Sequence, residues 1–366
     1  MEENRYLTEQ IITYIGNKRQ LLSFINEEIL EIKKALGLEK ITCMDLFSGS
    51  GVVARLMKQH SCKLYANDLE LYSYILNDCY LHNIHDFNQD KYNEYKQMLE
   101  DNLSDGLIEG IISKNYAPKN SEKIALGERV FYTRENALRI DTIRFYIDKI
   151  EESYRKFFLA PLLCEASIHV NTAGIFKGFY KDPTTKIGKF GGAGENALQR
   201  IMGRIELKKP ILSRFNCESF IYQSEANQLV KKLPHIDLVY IDPPYNQHPY
   251  GSNYFMLNII ANNSMPKEIS SVSGIPESWN RSDYNKKAKA LTAFDDLIKN
   301  LDTKYAIISY NSEGFISFNE MRNLLEQYGK VKIKTINYNT YKGSRNLHGR
   351  NLYVSEYLFV LQKEKV

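Results

Sequence analysis

Residues 41–59, ITCMDLFSGSGVVARLMKQ, pass from one kind of patterning to another within a few positions. Ile41–Phe47 is a short apolar run of the kind that fills a buried strand. Ser48-Gly49-Ser50-Gly51 is a turn, and VVARLMKQ has apolar residues at helical spacing. Working outward, Leu21–Leu36 reads as a helix stopped at Gly37, and Lys63–Ala66 as a second strand ending at Asn67-Asp68 before another helical run. Strand–helix–strand–helix predicts an α/β fold with a parallel, doubly wound sheet. The alternation lapses from about His85 to Phe215, where helical stretches such as Asn136–Phe158 dominate. It returns with strands at Ser219–Tyr222, Leu238–Ile241, Tyr305–Ser309 and Val354–Leu361. The expected organisation is one discontinuous α/β domain, 1–84 and 214–366, interrupted by a mostly helical domain over 85–213.

Composition sets the outer limits. The chain has 366 residues, 43% hydrophobic and 25% charged, which is ordinary for a globular protein with a sizeable core. No apolar run is long enough to span a bilayer, and MEENRYLTEQ lacks the pattern of a signal peptide, so a cytoplasmic protein without a membrane role is expected. Five scattered cysteines without C-x-x-C spacing argue against a zinc site or a disulfide framework and read as buried small hydrophobes. The net charge of +4 neither requires nor excludes nucleic acid, so charge placement has to decide.

Four local features carry chemistry. The glycines after Ile41–Phe47 let the backbone approach a ligand at a helix N-terminus, although such turns are often only turns. Asp68, at the end of the next strand, could accept both ribose hydroxyls of a nucleoside cofactor or could simply cap the following helix. Ala54 breaks any G-x-G-x-x-G pattern, which favours an adenosyl group over a dinucleotide. Asp242-Pro243-Pro244-Tyr245 follows the strand Leu238–Ile241 and sets a carboxylate, a carbonyl and an aromatic ring close together. An exocyclic amine can donate one N–H to Asp242 and the other to the Pro243 carbonyl while its ring stacks on Tyr245. Finally, Tyr14-Ile15-Gly16-Asn17-Lys18-Arg19 places a turn and a lysine before the first long helix.

In this order the features resemble the Dam-like α-group N6-adenine DNA methyltransferases, and among them the FokI-type modification enzymes of restriction systems. Further matches are LLCEASIHVNTAGIFKGF (162–179), YIDPPYNQHPYGSNY (240–254), SYNSEG (309–314) and EYLFVL (356–361), so the likeness covers nearly the whole chain. It implies a Rossmann-like S-adenosylmethionine-dependent methyltransferase sheet with an inserted target-recognition domain, acting on a flipped-out adenine in double-stranded DNA. By the same resemblance Tyr14, Gly16 and Lys18 close over the methionine part of S-adenosyl-L-methionine, Lys18 also standing near the target adenine. Phe47, Gly49 and Gly51, with Asp45 just before them, match the cofactor loop, and Asp68 the ribose acid. Glu225 falls where the family commonly has Asp near the cofactor adenine; an exposed residue at a helix start is the other reading. Asp242, Pro243, Pro244 and Tyr245 match the catalytic element.

DNA contacts are expected from charge. Residues 177–210 hold eight Lys/Arg against three Asp/Glu, among them Lys177, Lys181, Lys186 and Lys189, and Gly188, Gly191, Gly192 and Gly194 are expected to keep the segment mobile. A second basic stretch, Tyr341–Arg350, contributes Lys342, Arg345 and Arg350. His248 has no second ligand at metal spacing, and no metal is expected. The resemblance implies a cognate restriction endonuclease that acts in the same system without stable binding, and a monomer is the default expectation. Two other functions stay open: methylation of an RNA or protein amine, and a DNA-binding module with a decayed methyltransferase fold. Families of the first kind usually have Asn before Pro-Pro, and the intact Asp242, Tyr245, Gly49, Gly51 and Asp68 speak against the second.

Overall fold

The computed structural model describes residues 4–192, 197–339 and 353–364. Strands β1 Ile41–Asp45, β2 Ser61–Asp68, β3 Glu218–Gln223, β4 Ile236–Ile241, β5 Thr303–Asn311, β6 Gly329–Asn339 and β7 Tyr353–Lys363 form one sheet, ordered β3-β2-β1-β4-β5-β7-β6. The longer helices are α1 Leu22–Leu36, α2 Val52–Lys58, α3 Leu71–Tyr80, α4 Gln89–Asp105, α5 Arg134–Ile147, α6 Glu152–Ile168, α7 Phe255–Asn262, α8 Lys287–Asn300 and α9 Phe318–Leu325. Each strand expected from the sequence is present.

The sheet is not parallel throughout. From β3 to β5 the strands run together, but β7 is antiparallel to both β5 and β6. A parallel β7 would need a crossover back along the eleven residues of β6 before it could begin. The ladder instead pairs Asn339 with Tyr353 and Gly329 with Lys363, which closes a hairpin. The outer strand β6 is charged as edge strands often are: Lys332 binds Glu28 and Glu31, and Lys334 binds Glu27, all on α1.

Alternation along each strand divides the core in two. Cys43, Leu64, Leu238, Ile307 and Leu358 face one side with α1 and α2; Met44, Val239, Ile308 and Phe359 face the other with α8 and α9. A third cluster is helical and joins α3, α4, α5, α6 and α7 through residues such as Leu76, Leu99, Ile143, Leu163 and Leu257. The run Asn136–Phe158, expected as one helix, breaks at Asp148–Glu151, and α6 folds back on α5 and α3 with Ile147 and Ile150 both buried. Four cysteines are buried as expected; Cys62 faces solvent, because it occupies an outward position on β2.

The segment before α1 is moored by one side chain. Arg55 of α2 is 1% exposed and stacks 3.9 Å from the centre of the Tyr80 ring. Its guanidinium donates to the carbonyls of Tyr6 and Glu9, at 3.0 Å each, and of Gln10 at 2.7 Å. A charged donor shared by three carbonyls fixes the short helix Asn4–Thr8 and the turn that follows it. Replacing Arg55 by Met keeps much of the volume but strands those acceptors. Urea unfolding should show a loss of roughly 3–5 kcal/mol, and a midpoint unchanged from wild type would contradict the mooring role.

Candidate active site

Strand order reverses at β1, which has β2 on one side and β4 on the other. Connections from the carboxyl ends of β1 and β4 therefore leave in opposite directions and open a crevice between them. The loop after β1 builds one wall. Gly49 and Gly51 adopt φ of +50° and +77°. A Cβ at Gly49 would lie 2.9 Å from the Tyr14 ring, and one at Gly51 would lie 2.8 Å from Asn77 Oδ1. Both glycines are thus required twice, by backbone conformation and by close neighbours. Asp68, at the end of β2, accepts from the Gly49 N–H at 2.8 Å and the Glu70 N–H at 2.9 Å, which locks the loop to the neighbouring strand.

The crevice holds about 690 Å³ of empty space open to solvent, bounded by Tyr14, Gly16, Phe47, Gly49, Asp68 and Glu70. Glu225, Asp242, Pro244 and Tyr250 complete the parts of its wall that bear on chemistry. Tyr14 packs against both Tyr250 and Tyr254, with ring centres 4.9 and 4.7 Å away. Burial leads the shift of Asp68, raising its carboxyl against the opposing hydrogen bonds from Glu70 and Gly49.

Beneath this space lies a buried charge cluster. Lys18 Nζ is 3.2 Å from Asp242 Oδ1 and 2.7 Å from Glu356 Oε1, and the Glu356 oxygen also accepts from Ser309 Oγ at 2.6 Å. Lys18 and Glu356 are 4% and 0% exposed. Burial alone would depress the Lys18 ammonium, but Asp242 and Glu356 together hold it well above the usual lysine range. Burial pushes the Asp242 carboxyl up to about 7; Lys18 opposes the rise and Glu356 adds to it. Asp242 Oδ1 is enclosed and receives no well-directed hydrogen bond, which leaves Oδ2 as the oxygen available to a donor.

Residues 14–324 match the profile of the D12 class N6 adenine-specific DNA methyltransferases. The chain belongs to that family. It is 31% identical over 362 residues to the type II methyltransferase M.NlaIII of Neisseria lactamica, covering 96% of this chain and 99% of that protein. M.CviAII of Paramecium bursaria Chlorella virus 1 is 32% identical over 363 residues, covering 97% and 99% respectively. M.FokI of Planomicrobium okeanokoites is 30% identical over 367 residues, where 96% of this chain matches 52% of the longer relative.

Within this D12 class methyltransferase, the residues singled out from sequence converge on the crevice, though not all line it. Lys18 points beneath the cavity, at the Asp242 carboxylate. Asp45, at the end of β1, is 1% exposed, and burial with Asp242 and Asp68 nearby drives its carboxyl well above the ordinary range. Pro243 is buried, and Gly51 faces α3. Tyr245 stands edge-on to Tyr310, with its hydroxyl 2.9 Å from where a Gly16 Cβ would be. Glu225 borders the cavity, and it caps the short helix Ala226–Leu229 by accepting from the N–H groups of Asn227 and Gln228.

Of the basic residues, Lys177 comes to the rim. The Phe176 N–H donates to Asn253 O at 2.8 Å, and Lys177 Nζ stands 3.4 Å from His248 Nδ1 on the loop after Tyr245. Lys181 lies over the Phe179 ring at 4.8 Å, and Lys186 Nζ donates to Pro183 O at 2.6 Å. The Lys189 carbonyl accepts from the Asn171 side chain at 2.8 Å. The mobility expected of the glycines is corrected at two of them. Gly188 would place a Cβ 2.3 Å from Val130, and the Gly191 N–H donates to Asn171, so these residues permit close packing. Gly194, Lys342, Arg345 and Arg350 lie outside the described residues.

Glu356 and Ser309 were missed as site residues. The available signal was an acid in an otherwise apolar strand, Val354–Leu361, where a charge has to find a partner. Gly51 offers a direct check on the loop geometry. Gly51→Ala should lower stability by about 1–3 kcal/mol in thermal unfolding, because it meets both strain and Asn77. An unperturbed Tm would mean the loop is not held as described.

Proposed function

We propose that this chain transfers a methyl group from S-adenosyl-L-methionine to the N6 amine of an adenine flipped out of double-stranded DNA. The observation that carries this reading is the Asp242 carboxylate, bordering the crevice with Oδ1 committed to Lys18 and Oδ2 left for an N–H donor. A crevice at the switch point of the sheet is where an adenosyl cofactor would be expected to bind. Asp68 fits it as well: each oxygen carries one backbone donor and keeps lone-pair capacity for a ribose hydroxyl. Gly49 brings bare backbone to the wall, and Tyr14 and Gly16 close it from above. When bound, the cofactor supplies a methyl group already activated on sulfonium sulfur.

The protein then has to orient an amine. Extracting adenine from a duplex costs a few kcal/mol, and stacking on Tyr245, worth roughly 1–3 kcal/mol, offsets much of it. The Asp242 carboxylate and the Pro243 carbonyl each accept one N–H, so the nitrogen lone pair is turned out of conjugation and towards the donor. Pro244 fixes the turn between them. The helical segment 85–213 is the proposed target-recognition unit, with Lys177 leading phosphate contact beside His248. The relatives named type II methyltransferases support a role as the modification enzyme of a restriction–modification system. The proposal extends to a monomer in the cytoplasm, beside an endonuclease it does not bind stably.

Transfer of labelled methyl groups to adenine-containing duplex, RNA and protein tests the assignment, with duplex DNA expected to be the acceptor. Asp242→Ala should lower kcat by about a hundredfold or more while cofactor affinity survives; retained turnover would overturn the role of Asp242. Duplex affinity should fall steeply with added salt, by a smaller slope in Lys177→Ala, and a flat salt response would remove the basic rim from the interface.

A further inference from the structure

The catalytic reading of Asp242 leaves one fact unexplained. A single buried ammonium serves two carboxylates, only one of which borders the crevice. Glu356 lies on β7, is fully buried, and its Oε1, the oxygen that Lys18 contacts, also accepts from Ser309 of β5. Its position is fixed by the sheet, since Asn311 and Glu356 are paired across the antiparallel ladder. Glu356 Oε1 is nearer to Lys18 Nζ than Asp242 Oδ1 is, at 2.7 against 3.2 Å. Lys18 comes from the segment before α1, so three remote parts of the chain meet at one point.

We propose that Glu356, held by Ser309, is a positioning residue that draws the Lys18 ammonium partly away from Asp242 and so keeps the Asp242 carboxylate basic enough to take the proton released by the methylated amine. The proposal rests on the Asp242 reading above. Its balance is simple. The amine nitrogen forms its bond to the methyl carbon with its lone pair, and the carbon's former bond breaks with both electrons left on sulfur. The nitrogen then carries one proton too many and a positive charge. That proton passes to Asp242 Oδ2, restoring a neutral N6-methylamine.

A carboxylate paired with a lysine of its own would be a poor acceptor at neutral pH, because the charged form is stabilised. Glu356 weakens that effect by claiming part of the same ammonium. The other groups facing the pair are consistent with this division. Tyr240 of β4 and Tyr245 and Tyr250 of the following loop stay neutral, burial pushing each of their hydroxyls up. Burial, with Asp242 and Asp68 nearby, likewise drives the Asp45 carboxyl of β1 well above the ordinary range. Among the described residues, the balance at Asp242 is therefore set first by burial and then by the opposed charges of Lys18 and Glu356.

Glu356→Gln tests this because it keeps the shape and the contact with Ser309 while deleting the charge. Lys18 then belongs to Asp242 alone. The acid limb of the kcat–pH profile, expected near pH 7 in the wild type, should move down by about one unit or more, towards the ordinary carboxylate range. Ser309→Ala, which loosens Glu356 without deleting it, should move the limb in the same direction by less. A second readout needs neither cofactor nor DNA. Asp242 has a raised carboxyl pKa in the folded state, so its protonated form stabilises the fold below the unfolded value of about 4, and that contribution is lost as pH rises through about 7. The part of the Tm–pH curve that disappears in Asp242→Asn should therefore shift to lower pH in Glu356→Gln. An acid limb and a Tm–pH curve both unmoved in a folded Glu356→Gln protein would overturn the proposal. If Asp242→Asn instead kept full turnover, the catalytic reading itself would fail.

Discussion

A buried ammonium between two carboxylates is costly unless its position is enforced from several directions. Lys18 meets that condition. It is delivered by a segment that Arg55 ties to α2, it receives one carboxylate from the loop after β4, and it receives the other from β7. Losing both carboxylates would leave the ammonium buried with too few partners, a change far more damaging than its loss on a surface. The arrangement therefore couples integrity of the fold to integrity of the candidate site.

Sheet topology explains why this cluster lies under a cavity. The reversal at β1 separates the glycine loop from the Asp-Pro-Pro-Tyr turn by the distance between neighbouring strands, and the crevice is what remains between them. The antiparallel insertion of β7 beside β5 then carries Glu356 to the level of Ser309 and Asn311, near the carboxyl end of β5. A parallel extension of the sheet would have needed a different register to bring an acid there. The departure from the expected parallel sheet thus supplies a component of the site.

What was legible in the sequence follows from distance along the chain. The glycine loop, Asp68 and Asp242–Tyr245 each combine a local backbone requirement with a chemical group, and they could be read within a few residues. The ends of the sheet were harder. Glu356 and Lys18 are 338 positions apart, and nothing in either neighbourhood names the other. Lys18 was placed near the right chemistry by resemblance, yet its ammonium turns down to Asp242 and Glu356. The break at Asp148–Glu151 escaped notice because apolar spacing continues across it, and only the packing of α6 on α3 requires the turn. Gly188 misled for a related reason: a glycine that admits Val130 looks, in sequence, the same as one that frees a loop.

The same reasoning bears on how the crevice can close without much rearrangement. Tyr14 is already packed against Tyr250, Tyr254 and Gly49, and Gly16 is already seated over the Tyr245 hydroxyl. These contacts join the segment before α1 to the loops after both β1 and β4. Order in that segment then depends on Arg55 at its start and Lys18 at its end, two cations buried for opposite purposes. Arg55 spends its donors on backbone carbonyls and acts as a fixed anchor. Lys18 pairs with carboxylates, so the strength of its attachment varies with their protonation. A proton arriving on Asp242 weakens one of its two attractions while Glu356 retains the other, so the segment stays in place as the charge at the reacting end changes.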